Sequence, residues 1–300
     1  MAIVALDERL ATLVDLDAQA HQIASGFRFT EGPVWDRRSQ SLTFSDIPND
    51  TLHRWTAADG AQVFRRPSAH ANGNTLDRQG RLITCEHESR RVTRTNPDGS
   101  VEVLATHYAG KRFNSPNDVI CTSNGDIIFT DPPYGLRQPD GTYAPQDLAW
   151  CGVYRLSASD GTLTLLADDF HRPNGLVLTD DERRMYIDDT EHHLVRVFDV
   201  EPDGRLSNGK LFAEVRYGQT AGRPDGMKLD AHGNLYVTGN TPDGIWVYAP
   251  SGEHLGFIGV GEPPANLAWG GDDWKTLFVT ATTSVYMLRM NVAGQPLRGM

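Results

Sequence analysis

KRFNSPNDVICTSNGDIIFTDPPYGL, residues 111–136, begins with two asparagines beside a proline (Asn114, Pro116, Asn117) and runs into a short apolar stretch. It turns at Asn124-Gly125 and returns as a second apolar stretch ending at Asp131, followed by Pro132-Pro133-Tyr134-Gly135. Asn-Gly between two apolar runs is a hairpin signal, because both residues adopt the positive φ that a tight turn requires. A polar cluster able to hold a cation therefore stands at the head of a strand.

The same phrase recurs outward in both directions. Copies begin TEGPVWD at Thr30, ANGNTLD at Ala71, SPNDVIC at Ser115, RPNGLVL at Arg172, RPDGMKLD at Arg223 and PPANLAW at Pro263. The aligned polar positions are Glu31, Asn72, Asn117, Asn174 and Asp225, with Ala265 in the weakest copy, spaced by 40 to 57 residues. Each copy continues with a second strand, such as LTFSD at 42–46, IIFTD at 127–131 or LFVTA at 277–281. Most then add a third, such as GVYRL at 152–156 or IWVYAP at 245–250. A repeat of roughly 40–50 residues carrying several strands is the signature of a β-propeller, and the alternating, β-branched pattern excludes helical repeats of similar length.

Six copies predict an all-β, six-bladed propeller. A β-sandwich is the competing arrangement, and six correlated copies argue against it. The sixth copy shows only three strands, so a strand around residues 22–28 is expected to supply the fourth and close the ring, removing the edges an open sheet would leave. Residues 5–17 place Leu6, Leu10, Leu13 and Leu16 at helical spacing and predict a short N-terminal helix on the body. One domain over 1–300 is expected, with 1–19 as an N-terminal extension and the turn-rich insertion 137–151 lying over one face of the ring.

Composition narrows the function classes. A net charge of −11, from 39 acidic and 28 basic residues, argues against a nucleic-acid partner, which needs a basic surface, and leaves carboxylates for a cation. No run reaches the ~18 apolar residues of a membrane span. The first residues lack the basic and apolar regions of a secretory signal. Cys85, Cys121 and Cys151 are odd in number and lie in or beside strand patterns, which reads as reduced, buried thiols and a cytoplasmic address.

Equivalent residues at the starts of the innermost strands of a propeller form a ring at one mouth of the axial channel. Here that ring contains Glu31, Asn72, Asn117, Asn174 and Asp225. Carboxylate and amide oxygens are what a hard divalent cation takes, and two carboxylates balance its charge. No cysteine or histidine joins the set, unlike the usual zinc site. Asn-Gly and Asp-Gly are also ordinary turn chemistry, so both readings stay open on the residues alone; Glu31, a poor turn former, favours ligation. His70 and His87 would line the mouth without a catalytic part.

EGPVWD, GKRFNSPNDV…FTDPPYG, RPNGL and GRPDGMKLDAHGNLYVT closely resemble the gluconolactonase/regucalcin (senescence-marker-protein-like) family, and PPANLAWGGDDWKTLFVTA resembles its bacterial gluconolactonase branch. The resemblance runs from about residue 25 to 290. It implies a six-bladed propeller with a divalent cation on its axis, Ca²⁺ first and Zn²⁺, Mg²⁺ or Mn²⁺ as alternatives. By motif the ligands would be Glu31, Asn117, Asn174 and Asp225, while Asn72 lies in a phrase that varies among relatives. Arg112 and Asn114 would lie near the substrate, and Tyr134 and Asn117 would help to form its pocket.

The implied activity is metal-dependent hydrolysis of a small sugar lactone, with Asp225 as general base and Glu31 holding the ion. A phosphotriesterase-like hydrolase and a non-catalytic calcium-binding or scaffold propeller are the alternatives. The expected partner is the small-molecule lactone, with a monomer or small homo-oligomer as the acting form.

Overall fold

The structure is a computed structural model that describes residues 2–240 and 243–297. Six antiparallel sheets, five of four strands and one of five, follow one another along the chain. Blade 1 is Thr30–Asp36, Ser41–Asp46, Thr51–Thr56 and Gly60–Arg65; blade 2 is Ala71–Leu76, Leu82–Glu86, Arg91–Thr95 and Val101–Ala105. Blade 3 is Val119–Cys121, Ile127–Asp131, Cys151–Leu156 and Leu163–Phe170; blade 4 is Pro173–Leu178, Arg184–Asp189, Leu194–Val200 and Leu206–Glu214. Blade 5 runs Arg223–Leu229, Leu235–Asn240, Gly244–Tyr248 and His254–Ile258, and blade 6 starts with Pro264–Gly270, Thr276–Ala281 and Ser284–Arg289. The first strand of each blade touches the first strands on either side, and blade 6 touches blade 1, so the circle closes.

The closing strand is His21–Ser25. It pairs antiparallel with Ser284–Arg289, His21 opposite Met287 and Ser25 opposite Ser284, and so becomes the outer strand of blade 6 as expected. The N-terminal segment differs from its expected form. Only Leu10–Leu13 is helical, a single turn, while Ile3–Ala5 adds a fifth strand to blade 5 against His254–Ile258. One helical turn is marginal by itself, and the outer edge of blade 5 offers ready backbone partners. Leu10, Leu13 and Val14 are buried against blades 5 and 6, whereas Leu6 and Leu16 stay exposed. Burial of the Leu10 side chain contributes about 2 kcal/mol.

The apolar core lies between neighbouring blades. Trp35 of blade 1 stacks on Phe278 of blade 6 with ring centroids 5.0 Å apart, and Phe113, Phe129 and Tyr154 cluster in blade 3. The three cysteines are free and buried.

Two features of the innermost strands position the site. In blades 1, 2, 4, 5 and 6 the ladder to the second strand shifts register at the strand's start, between Glu31 and Val34, Ala71 and Asn74, Pro173 and Leu176, Pro224 and Met227, and Pro264 and Asn266. Such bulges re-aim a side chain. The second feature is the glycine after the polar residue. A Cβ on Gly73 would stand 2.3 Å from Asn117 O, one on Gly175 2.2 Å from Asp225 O, and one on Gly226 2.1 Å from the Asn266 amide. Of the four glycines only Gly32 has positive φ. These dipeptides therefore let adjacent blades approach at the axis, and the turn reading left open above does not apply to Gly73, Gly175 or Gly226.

Candidate active site

At the mouth, Asp225 lies within side-chain hydrogen-bonding reach of both Glu31 and Asn174. Glu31 is buried; its Oε2 accepts the Gly32 N–H at 2.5 Å and the Asn266 Nδ2–H at 3.0 Å. Asn174 is buried and donates to Thr190 Oγ1 at 3.2 Å, and Thr190 donates to Pro224 O at 2.8 Å, tying blade 4 to blade 5. Asn117 is buried and meets Asn72, whose Nδ2 donates to Asn117 Oδ1 at 2.7 Å and lies 3.1 Å from His87 Nε2. The structure thus brings Glu31, Asn174 and Asp225 together, while Asn117 meets Asn72.

The electrostatics suit a cation. Burial, then the nearby Asp118 charge, push the Glu31 carboxyl up to about 7. Burial, then Glu31 and Asp118, push Asp225 well above the usual carboxylate range. Two acids so close cannot both ionise cheaply without a counter-charge. A divalent cation supplies one, and the donor set of two carboxylates and two amides, with no imidazole or thiolate, fits a hard ion. Asn72 Oδ1 is buried and lacks a hydrogen-bond partner, a further oxygen on the same ring.

Residues that the repeat alignment passed over form a second tier. Asp118 and Asn266 take the place that glycine holds after the polar residue in the other four blades. Asn266 orients Glu31 and also reaches Asp118. Asp118 is buried, and burial raises its pKa while Lys228 opposes the shift. Asp188, at the end of the second strand of blade 4, is wholly buried, and both its oxygens lack hydrogen-bond partners. The signal for Asp118 and Asn266 was present in the alignment as two polar residues in a column of glycines.

Of the four expected substrate contacts, Asn117 meets Asn72, and the other three are placed differently from one another. Arg112 is exposed on the small hairpin His107–Tyr108/Lys111–Arg112, with Nη2 donating to Ser89 O at 3.0 Å. Asn114 is completely buried, and its Nδ2 donates to Asp131 O at 3.1 Å and Trp150 O at 2.9 Å, which fastens the loop, while its Oδ1 has no hydrogen-bond partner among the described residues. Tyr134 starts the one-turn 3-10 helix Tyr134–Leu136 and stands close enough to Asp225 and Asp188 to feel their charges. The Arg172 guanidinium lies over the Tyr134 ring at 5.5 Å and over Tyr143 at 4.7 Å, and donates to Tyr143 Oη at 2.9 Å. Tyr143 belongs to the insertion 137–151, which therefore reaches blade 4 beside Asn174. Glu191 holds Arg172 at 3.1 Å and Arg223 at 2.6 Å, fixing a cationic, aromatic wall next to Asp225.

Among the described residues, no helix is long and apolar enough to cross a membrane. Residues 29–283 match the SMP-30/Gluconolactonase/LRE-like region. A gluconolactonase of Zymomonas mobilis is 34% identical, across 95% of this chain and 85% of its own length. A pentonolactonase of Haloferax volcanii is 31% identical, across 84% of this chain and 81% of its own. The solved structure of a gluconolactonase from Xanthomonas campestris superposes with a TM-score of 0.87 at 33% identity, covering 97% of this chain and 95% of that one. The chain belongs to the SMP-30/gluconolactonase/LRE-like family.

Proposed function

We propose that this chain hydrolyses a small sugar lactone to its aldonic acid, at a centre where Glu31, Asn117, Asn174 and Asp225 hold a divalent cation, Ca²⁺ by preference. The observation that carries the reading is the pairing of Asp225 with Glu31 and Asn174 at the mouth of the axis in a family whose relatives include gluconolactonases. Oxygen-only donors favour Ca²⁺ over softer ions. When bound, the cation would polarise the lactone carbonyl and favour the oxyanion that forms on attack by water.

The chain's own groups do the rest. Asp225 keeps part of its surface open while Glu31 does not, so Asp225 is the carboxylate an entering substrate meets. Asp225 takes a proton from the attacking water, the hydroxyl adds to the acyl carbon, the ring C–O bond breaks, and the proton goes to the departing ring oxygen. Glu31, fixed by Gly32 and Asn266, keeps its orientation throughout. Tyr134 and Arg172 form one wall against the sugar ring. Arg112, at the rim, reaches for hydroxyls or the product carboxylate, and Asn114 positions its loop. We place this activity in the cytoplasm, in one domain over 1–300, consistent with three unpaired thiols.

Titration of the acid released from glucono-1,5-lactone tests the proposal. Chelation should abolish the rate and Ca²⁺ restore it, and Asp225→Asn should lower kcat about 10²–10⁴-fold. Full activity after thorough demetallation, or a faster rate on a phosphotriester than on any lactone, would sink it.

A further inference from the structure

A second set of ligand atoms lies on the same face, outside the axial ring. Asp50 ends the single turn Ile47–Asn49 of blade 1, His70 precedes the first strand of blade 2, and Glu88 follows its second strand. Each offers one ligand atom, and these atoms lie within 4.8 Å of one another. None of the three takes part in the axial ring.

The set is more than a group of acids. His70 Nδ1 lies 2.7 Å from Ile47 O, which fixes Nδ1 as the donor and leaves the lone pair on Nε2. A backbone carbonyl behind the far ring nitrogen is how metal-binding imidazoles are held in one tautomer and one orientation. Asp50 Oδ1 accepts from Ser68 N at 2.9 Å, Ser68 Oγ at 3.2 Å and His70 N at 2.9 Å, which leaves Oδ2 unengaged. The loops carrying His70 and Glu88 are tied together by His87 N to His70 O and Glu88 N to Ala69 O, each at 3.2 Å. The Glu88 side chain is exposed, and among the described residues its carboxylate makes no ion pair.

We propose that Asp50, His70 and Glu88 form a second divalent-cation site at the rim between blades 1 and 2, one that takes a borderline first-row ion such as Zn²⁺ in preference to Ca²⁺. One imidazole and two carboxylates make a zinc-type donor set, with water completing the coordination, whereas the axial ring is all oxygen. An ion here links the blade 1 turn to two loops of blade 2. His87 lies next to His70 and holds Asn72, so the ion also braces the wall of the axial ring.

The test is calorimetric titration of Zn²⁺ into the full chain with Ca²⁺ in excess, so that the axial ring is occupied. The wild type should take up one Zn²⁺ and gain thermal stability from it. His70→Gln and Glu88→Gln should each weaken that uptake at least tenfold. Glu88 is exposed, so its variant keeps the fold even if His70→Gln does not. Glu31→Gln should lose lactonase activity and leave the Zn²⁺ titration unchanged, which separates failure of this site from failure of the axial one. No Zn²⁺ uptake by the wild type, or equal uptake by wild type and Glu88→Gln, overturns the proposal.

Discussion

Asn266 shows how much one side chain decides. It comes from the copy whose aligned residue is Ala265, yet its amide holds Glu31 and reaches Asp118. Asn266→Ala should leave the fold intact and lower kcat about 10–100-fold with weakened Ca²⁺ binding, measured as separate kcat, KM and metal affinity. An unchanged metal affinity would remove the positioning role. The ring residues were legible because the repeat put five polar residues in one column. Asn266 and Asp118 stood beside that column as polar residues where the other copies have glycine, but spacing alone does not reveal which way either side chain points. Asn114 illustrates the converse: a polar residue in a conspicuous motif whose amide is engaged by backbone carbonyls far along the chain.

Strands and loops were legible to different depths. Hydrophobic alternation marked the second and third strands to within a residue or two, since both faces of a blade pack against neighbours. The N-terminal leucines marked a short helix that the structure keeps as the single turn Leu10–Leu13, because helical spacing over so short a stretch competes poorly with an open sheet edge. The glycines of the repeat were visible, but their purpose was not, because close approach between blades leaves no local pattern. That purpose is testable. Gly175→Ala would drive a Cβ to within 2.2 Å of the Asp225 backbone oxygen, so it should cost ~3 kcal/mol or more, read as a fall in the denaturant midpoint, and move Asp225. Wild-type stability in that variant would show that the blades are not in tight contact there.

Two histidines shifted by burial contribute a pH-dependent part of the stability whose sign is definite. Burial pushes His254, packed among Trp246, Tyr248 and Phe257, down to about 4, and burial does the same to His87. Both titrate near 6.5 when unfolded, so between about 6.5 and 4 the unfolded chain binds more protons than the folded one. Stability from this source is therefore full above about pH 6.5 and falls as the pH drops toward 4. His254→Gln should flatten that slope in thermal unfolding, and an unaltered slope would assign it to other groups. Closure acts at the same scale. Removing residues 2–25 takes away both the outer strand of blade 6 and the fifth strand of blade 5, and should yield an aggregating chain; removing only 2–5 should be mild. The number of blades and the closing strand were legible from the repeat. The fifth strand was not, because three residues carry no periodicity.

Glu31 and the amide that orients it lie 235 positions apart. On a ribosome adding about 5–20 residues per second, Glu31 emerges on the order of tens of seconds before Asn266 does. Throughout that interval the first blade has no neighbour on one side, and His21–Ser25 has no strand to pair with. A chain lacking only its sixth blade can therefore hold five blades and still lack its acid pair in working order. Catalytic competence arrives only once the sixth blade is made and the two ends of the circle meet.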